Sequence, residues 1–255
     1  MEKLKNYFFV IRQLQHRNRK RQYSSTFLGI LWDVLNPLIN MLILISIFGH
    51  IIGHTNWQAY PVYILLGTMV FKIFVAGTER SIRVLSGNKA LILNTRIPKQ
   101  LYVLQTVYGA LVDFLISIII LVGVMIYTGV GTNYMCLLVI PDIMILLVLI
   151  TGIGKILAVI NVYFADIKYF YDIFTLAVFY GSALFANPSK YGPVMQKIIS
   201  FNPIYDAISI ARVSVIDMKM PGIGLWIKLV SSAIIVYTIG YFVFKRGTEN
   251  VVAKL

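Results

Sequence analysis

Charged residues are scarce in this chain of 255 residues: Asp, Glu, Lys and Arg make up 13% of it, whereas about 25% is usual in soluble domains. Hydrophobic residues make up 58%, and the mean hydropathy is +0.79. The single cysteine, Cys136, excludes a disulfide framework and a cysteine metal cluster. This composition excludes a soluble globular fold and favours an all-α integral membrane protein.

Acidic residues are also few, since 10 Asp and Glu stand against 23 Lys and Arg, which leaves a net charge of +13. In a soluble protein such an excess indicates nucleic acid, but in a membrane protein it is typical of cytoplasmic loops. The positive residues here flank the long apolar runs and do not line one face. We therefore predict no nucleic-acid partner and attribute the charge to membrane topology.

Six apolar stretches approach the length of about 20 residues that a helix needs to cross a hydrocarbon core of about 30 Å. They are residues 34–53, 60–76, 103–127, 135–162, 173–186 and 225–244. The sequence predicts a single transmembrane domain over residues 1–255. Within it, residues 1–33 form an interfacial segment that leads to the first span, 34–244 a bundle of six transmembrane helices and 245–255 a cytoplasmic tail.

The distribution of Lys and Arg between the connections predicts the orientation of these spans. Both the segment before the first span and the connection between the second and third are rich in Lys and Arg. The connections at residues 54–59 and 129–134 contain neither. Because cytoplasmic loops carry the positive charge, we expect a multi-pass membrane protein with both termini in the cytoplasm.

The first residues predict an amphipathic helix on the membrane surface. Its apolar stripe follows helical spacing, and its members are Leu4, Tyr7, Phe8, Ile11 and Leu14. The basic residues expected at the membrane surface are Arg12, Arg17, Arg19, Lys20 and Arg21. A solvated helix packed on a partner is the alternative interpretation.

Residues 194–216 offer a rival seventh span, because the stretch is moderately apolar. It contains Asp206 and Arg212, however, and each charge at the centre of a span costs roughly 2.5–3.5 kcal/mol. We instead predict two short re-entrant helices between spans five and six, broken at Asn202 and Pro203.

A search for catalytic patterns finds none that is complete. Gly152-Ile153-Gly154-Lys155 partly matches a phosphate-binding loop, but Leu149 replaces its first glycine and Ile156 its hydroxyl residue. The three histidines do not form a zinc-hydrolase pattern, and no serine has the surroundings of a nucleophile. We therefore predict no enzyme activity, no catalytic residue, no metal site and no cofactor bound by this chain.

Two acidic residues, Asp113 and Asp142, fall inside predicted spans. A charge within a span is costly and usually faces a partner or a wet cavity. For each of them a structural pairing role and a place along a transport pathway remain alternatives.

The connection at residues 77–100 mixes apolar and polar residues in a way that suits a short helix on the membrane surface. The apolar residues Val84, Leu85, Leu91, Ile92 and Leu93 mix there with Arg83, Asn88 and Lys89. Such a helix would present both apolar and charged side chains to a partner, and an ordinary solvated connection is the alternative.

Four local patterns resemble a known family, the type-2 ABC exporter permeases of the polysaccharide and teichoic-acid group. The first runs from Arg21-Gln22-Tyr23 through Ser25 and Leu28-Gly29-Ile30-Leu31-Trp32 to Asn36-Pro37-Leu38. The others are Asn88-Lys89-Ala90-Leu91-Ile92 with Ile97-Pro98, the loop from Asn161 to Tyr169, and Phe201-Asn202-Pro203 through Arg212. They occur in the family's order and cover nearly the whole chain.

The resemblance implies a homodimer of this chain with two copies of an ABC ATPase subunit, which would bind ATP and Mg²⁺. It places the ATPase-coupling residues at Asn88, Lys89, Leu91, Ile92, Asp166 and Lys168. The transport pathway would run between the two protomers. Because sugars stack on aromatic rings, candidate pathway residues are Tyr63, Phe71, Tyr108, Phe179 and Tyr180. Asp113 is a further candidate, as a charge within a span.

The function expected from this resemblance is ATP-driven export, across the bacterial inner membrane, of a lipid-linked polysaccharide of the O-antigen, capsule or teichoic-acid type. An exporter of a drug, antibiotic or lipid with the same fold is the first alternative. A membrane scaffold without transport is the second. An enzyme acting on lipid-linked sugars is disfavoured, because the sequence lacks an acidic D-x-D cluster at the interface.

Overall fold

The computed structural model describes residues 2–23, 29, 31–51, 59–95 and 97–254. These residues form α-helices joined by turns and three short 3₁₀ turns, Ser86–Asn88, Tyr134–Leu138 and Pro188–Lys190. The helices are α1 (Glu2–Tyr23), α2 (Leu31–Ile51), α3 (Tyr60–Ile82), α4 (Lys89–Asn94), α5 (Gln100–Thr128), α6 (Val139–Tyr163), α7 (Ile167–Tyr180), α8 (Pro193–Ser200), α9 (Pro203–Val215) and α10 (Ile223–Lys254). The predicted all-α membrane class is confirmed.

Each predicted span coincides with a helix, namely α2, α3, α5, α6, α7 and α10. Four stretches are long and apolar enough to cross a membrane, and they are Tyr60–Ile82, Gln100–Thr128, Tyr134–Tyr163 and Ile223–Thr248. In α2 the described apolar stretch is the shorter Val34–Ile47. The fifth helix, α7, has 14 residues, which is about 21 Å at the usual rise. It ends at Tyr180, so the buried residues 183–186 that we expected to continue the span follow it as non-helical chain.

Two glycines allow α6 and α10 to approach to backbone contact. A Cβ atom on Gly152 would lie 2.7 Å from the backbone nitrogen of Tyr237, and one on Gly240 would overlap the carbonyl oxygen of Gly152. Small residues at such crossings are typical of helix packing in membranes. On the same interface, the ammonium of Lys155 lies 4.2 Å from the ring centre of Tyr237.

The segment before α10 consists of two short helices, as predicted, and the chain breaks between them at Phe201 and Asn202. The Asn202 side chain accepts a hydrogen bond from the backbone N–H of Ile204 at 3.0 Å, which caps α9. Its amide nitrogen donates to the carbonyl oxygen of Gly181 and to Ser182 Oγ, at 3.0 and 2.9 Å. The break is therefore stabilised from both sides, and one continuous seventh span is excluded.

Helix α9 packs against α3, α6 and α10, and Arg212 ties it to the chain that follows α7. Arg212 is 6% exposed, and its guanidinium donates to the carbonyl oxygens of Ala183 at 3.0 Å and Leu184 at 2.8 Å. It also donates to the carbonyl oxygen of Tyr63 at 3.2 Å, and it lies 3.5 Å from the centre of the aromatic ring of Tyr63. One buried side chain thus joins α3, α9 and the non-helical segment.

The N-terminal helix α1 packs along α5. Leu14 of its predicted apolar stripe is 8% exposed, whereas Phe8 and Phe9 are 55% and 61% exposed. Phe8 nevertheless contacts Tyr108 of α5 edge to face, with ring centres 5.8 Å apart. A helix with both a packed face and exposed aromatic side chains suits an interfacial position, which stays a prediction.

At the other terminus, α10 continues as a helix as far as Lys254. Residues 245–254, which the sequence suggested as a separate tail, therefore prolong the last helix.

Candidate functional site around the short helix α4

The chain between α3 and α4 is fixed by apolar side chains at its base. Val84 and Leu85 are 4% and 0% exposed. They belong to one buried cluster with residues of α1, α5, α6 and α10: Leu14, Tyr102, Val103, Ala158, Val159 and Phe244. These buried side chains therefore hold the segment against the bundle, unlike an ordinary solvated connection.

Helix α4 itself has one buried side and one open side. Ile92 is 8% exposed and lies in the same cluster, and Leu91 is partly buried against it. Lys89 is exposed and Leu93 is 48% exposed. Because residues four apart lie on the same side of a helix, Lys89 and Leu93 form an open face that a partner can contact.

Two asparagines connect this segment to other helices. Arg17 of α1 donates to Asn88 Oδ1 at 2.6 Å, and the Asn88 amide nitrogen donates to the carbonyl oxygen of Val84 at 2.8 Å. Asn161, near the end of α6, donates to Ser86 Oγ at 3.2 Å. The structure thus brings a predicted membrane-surface residue, Arg17, into contact with a predicted coupling residue, Asn88.

The other predicted coupling residues lie where α6 meets α7. Asp166 occupies the position before α7 and is exposed, and Lys168 is half-buried in its first turn. Nearby, Tyr163 donates from its hydroxyl to the carbonyl oxygen of Gly247 in α10 at 3.3 Å. The Asp166 loop and α4 are thus both held to α10, through Tyr163 and through the cluster containing Phe244.

Asp113 of α5, a candidate pathway residue, makes two ion pairs. Its carboxylate oxygens lie 3.2 Å from Arg19 Nη2 and 2.7 Å from Arg80 Nη2. The three side chains join α1, α3 and α5. Asp142, the second acid within a span, is fully buried, and neither of its carboxylate oxygens has a hydrogen-bond partner among the described residues.

The aromatic candidates fall in three separate places. Phe179 contacts Phe71 and Tyr180, with ring centres 5.2 and 5.5 Å apart, so these three share one aromatic cluster. Tyr63 stacks instead with Arg212, and Tyr108 contacts α1 through Phe8, as described above.

The basic residues predicted for the membrane surface also divide. Arg17 and Arg19 have the partners described above, whereas Arg12 and Lys20 are exposed. The side chain of Arg21 lies outside the described residues, as do Ser25 and Leu28 of the first resemblance pattern.

Leu93 belongs to the segment that the sequence predicted to contact a partner but was not among the coupling residues, although it carries the largest open apolar side chain of α4. Its spacing of four from Lys89 was the available signal. Arg83 was also missed, and it is exposed directly before the α4 segment.

Comparison with known proteins gives one family for this architecture. The sequence profile of the ABC-2 type transporter family matches residues 10–216. The chain belongs to the ABC-2 type transporter family. As a member of it, the chain is a multi-pass membrane protein of a transport system.

Similar proteins extend over nearly the same length. An O-antigen export system permease protein, RfbA, from Klebsiella pneumoniae is 25% identical over 240 residues, which cover 87% of this chain and 92% of that protein. RfbA of Myxococcus xanthus is 21% identical over 252 residues, 98% of this chain and 96% of that protein. The polysialic acid transport protein KpsM of Escherichia coli is 25% identical over 213 residues, 81% of this chain and 79% of that protein.

Proposed function

We propose that this ABC-2 chain is the membrane permease subunit of an ATP-driven exporter of lipid-linked polysaccharide. The observation that carries the proposal is that permeases named for O-antigen and for polysialic acid both align along most of the chain. The shared sequence is spread over the bundle, α4 and the segment of α8 and α9, and is not confined to one span. The glycan would be of the O-antigen, capsule or teichoic-acid type.

In this proposal a separate ATPase subunit docks on the open face of α4 at Lys89 and Leu93. The buried base at Val84 and Leu85 supports such a role, because the same cluster packs α4 against α1, α5, α6 and α10. The exposed Asp166 loop provides a second contact. ATP and Mg²⁺ would be bound by that partner, and this end of the bundle would face the cytoplasm of a bacterial cell.

Two copies of the chain would form the complete pathway. Aromatic side chains remain open on α7, where Tyr169 and Phe170 are 66% and 61% exposed and Tyr180 is 55% exposed. Sugar rings bind to aromatic faces through their apolar area. We propose that such surfaces from two protomers enclose the glycan, with ATP binding and hydrolysis in the partner opening and closing the route.

Depletion of the protein in its native cell tests the proposal. Lipid-linked glycan on the inner face of the membrane and glycan at the cell surface are measured before and after depletion. The expected result is accumulation inside with loss at the surface, restored by the wild-type gene. An unchanged glycan distribution after confirmed depletion would refute glycan export and favour a drug or lipid substrate.

A variant separates transport from membrane insertion. Leu93→Glu places a charge on the open face of α4. When it is expressed in depleted cells, it should not restore surface glycan, and the ATPase should not co-purify with it. Val194→Glu adds the same charge at an exposed apolar residue of the short helix α8, outside the long apolar spans, and tests whether any added charge has the same effect. Normal ATPase co-purification with Leu93→Glu would refute docking at this face.

A further inference from the structure

A polar cavity of about 320 Å³ lies between α1, the end of α3 and α5. Four arginines line it: Arg17, Arg19, Arg80 and Arg83. No Asp or Glu occurs among the described residues that line it. A concave site with so many guanidinium groups favours an anion, because each guanidinium offers planar pairs of N–H donors.

The charge in the cavity is only partly neutralised. Asp113 is the carboxylate in reach, and it accepts ion pairs from both Arg19 and Arg80. Arg17 and Arg83 have no carboxylate partner among the described residues. Arg17 and Arg83 therefore bring two positive charges to the cavity that no carboxylate of the described residues neutralises.

Arg17 is the best-positioned donor. Its Nη2 is fixed at 2.6 Å from Asn88 Oδ1, while its buried Nε has no hydrogen-bond partner among the described residues. A buried donor without a partner costs about 1–3 kcal/mol. Because Arg17 lines the cavity, an anionic oxygen bound there would give its guanidinium a charged partner that the described residues do not supply.

The surroundings favour a lipid headgroup. A second cavity of about 560 Å³ adjoins the first, and both are lined by Gln15 and Arg19. Phe9 and Tyr108 line this second cavity, and Phe9 is 61% exposed. Basic and aromatic side chains together on an interfacial helix are typical of the headgroup level of a bilayer.

The size of the first cavity disfavours a protein segment as its occupant. Pockets for small molecules usually measure about 300–1,000 Å³. The cavity of about 320 Å³ lies at the lower end of that range, so it suits a small chemical group better than a length of polypeptide. A phosphate or diphosphate group is compact and carries the negative charge that the guanidinium groups of Arg17 and Arg83 attract.

We infer that this cavity, called here the arginine pocket, binds the phosphate group of a membrane lipid at the headgroup level. This inference rests on the proposed function in one respect, namely that the lipid is the phosphorylated anchor of the exported glycan. In that case α1 and the α4 segment would both sense the presence of substrate, since Arg17 contacts the lipid phosphate and Asn88 together.

Binding to the purified full-length permease tests the inference. Four probes are compared in an uncharged detergent: a long-chain polyprenyl diphosphate, the matching polyprenol, phosphatidylglycerol and inorganic pyrophosphate. We expect the diphosphate lipid to bind at least about tenfold more tightly than the polyprenol. Preferential binding over phosphatidylglycerol identifies the glycan anchor as the source, equal binding identifies ordinary phospholipid, and preference for inorganic pyrophosphate over both lipids overturns a lipid site.

Variants show whether the arginine pocket is responsible. Arg17→Gln combined with Arg83→Gln should weaken binding of the diphosphate lipid by about tenfold or more, because two donors are lost. Arg17→Lys combined with Arg83→Lys keeps the charge and should recover part of the affinity. Arg246→Gln changes an exposed arginine near the end of α10 that does not line the pocket, and it should have no effect.

Equal affinity in the wild type and the Gln double variant, with both proteins folded by thermal unfolding, would overturn the inference. An equal loss of affinity with Arg246→Gln would also overturn the inference, since the effect would then come from a lower positive charge in general and not from the arginine pocket. The glycan measurement of the preceding section is independent: a pocket that binds lipid phosphate in a protein that exports no glycan would refute the proposed function and leave the pocket in place.

Discussion

Replacement of Arg212 by methionine should destabilise the protein, because three backbone carbonyl groups lose their donor. Methionine fills part of the same space but offers no N–H to Ala183, Leu184 or Tyr63. Interhelical hydrogen bonds in membrane proteins contribute about 0.6 kcal/mol on average. Three such bonds give about 2 kcal/mol as a lower bound, since an unpaired buried carbonyl in a soluble protein costs about 1–3 kcal/mol.

A loss of about 2 kcal/mol corresponds to a fall in Tm of roughly 4–8 °C for a chain of this size. The assay is thermal unfolding of the purified permease in detergent. Arg212→Lys keeps the charge but reaches fewer oxygens, so its Tm should lie between those of Arg212→Met and the wild type. Arg246→Met is the matched control, because Arg246 is exposed and should leave Tm unchanged.

The position of Gly67 provides an independent check on the same geometry. A Cβ atom there would overlap Nη2 of Arg212, so Gly67→Ala should displace the guanidinium and lower Tm in the same direction. The effects of Gly67→Ala and Arg212→Met should not add, because they remove the same bonds. A Tm for Arg212→Met within about 1 °C of the wild type would refute the reasoning.

Three further predictions concern other parts of the fold. Ile92→Glu should lower the yield of folded protein, because Ile92 is 8% exposed, whereas Leu93→Glu should keep that yield and lose the ATPase in co-purification. Gly152→Leu should disrupt the backbone contact of α6 with α10 and abolish folding, while Gly123→Leu, where a Cβ meets nothing within 4 Å, should be tolerated; equal folded yields by gel filtration would contradict this. Asn202→Ala removes the cap of α9 and two donated hydrogen bonds, so it should lower the free energy of unfolding by about 1–2 kcal/mol. An unchanged Tm would show that the break between α8 and α9 does not depend on Asn202.

The sequence alone predicted the helical class, the six helical segments and the break at Asn202, because each rests on a local signal. Long apolar runs, flanking positive charge and an Asn-Pro pair are visible without tertiary contacts. The end of α7 at Tyr180 was not predictable in this way. Residues 183–186 are apolar enough to continue a helix, yet Ala183 adopts φ 47°, which the backbone bears only because surrounding contacts stabilise it.

The candidate site was predictable in composition but not in orientation. The mixture of apolar and polar residues indicated a surface helix at α4, and the structure confirms a helix there. Which apolar side chains point inward depends on the position of Val84 and Leu85 in the cluster that four other helices supply. A helix of six residues is too short for its own periodicity to fix that rotation, so the coupling residues included Ile92, which is buried, and left out Leu93, which is exposed.

Arg212 shows that a charged residue in an apolar segment can be recognised from the sequence as costly, although the sequence does not show which groups it bonds to. In the sequence, the charge argued against a seventh span. In the structure, Ala183 and Leu184 lie in buried non-helical chain, where their carbonyl oxygens need donors from elsewhere in the protein. Arg212 supplies those donors. The unfavourable charge in α9 and the unfavourable break after α7 therefore compensate each other, and removing either one alone should leave the other without its partner.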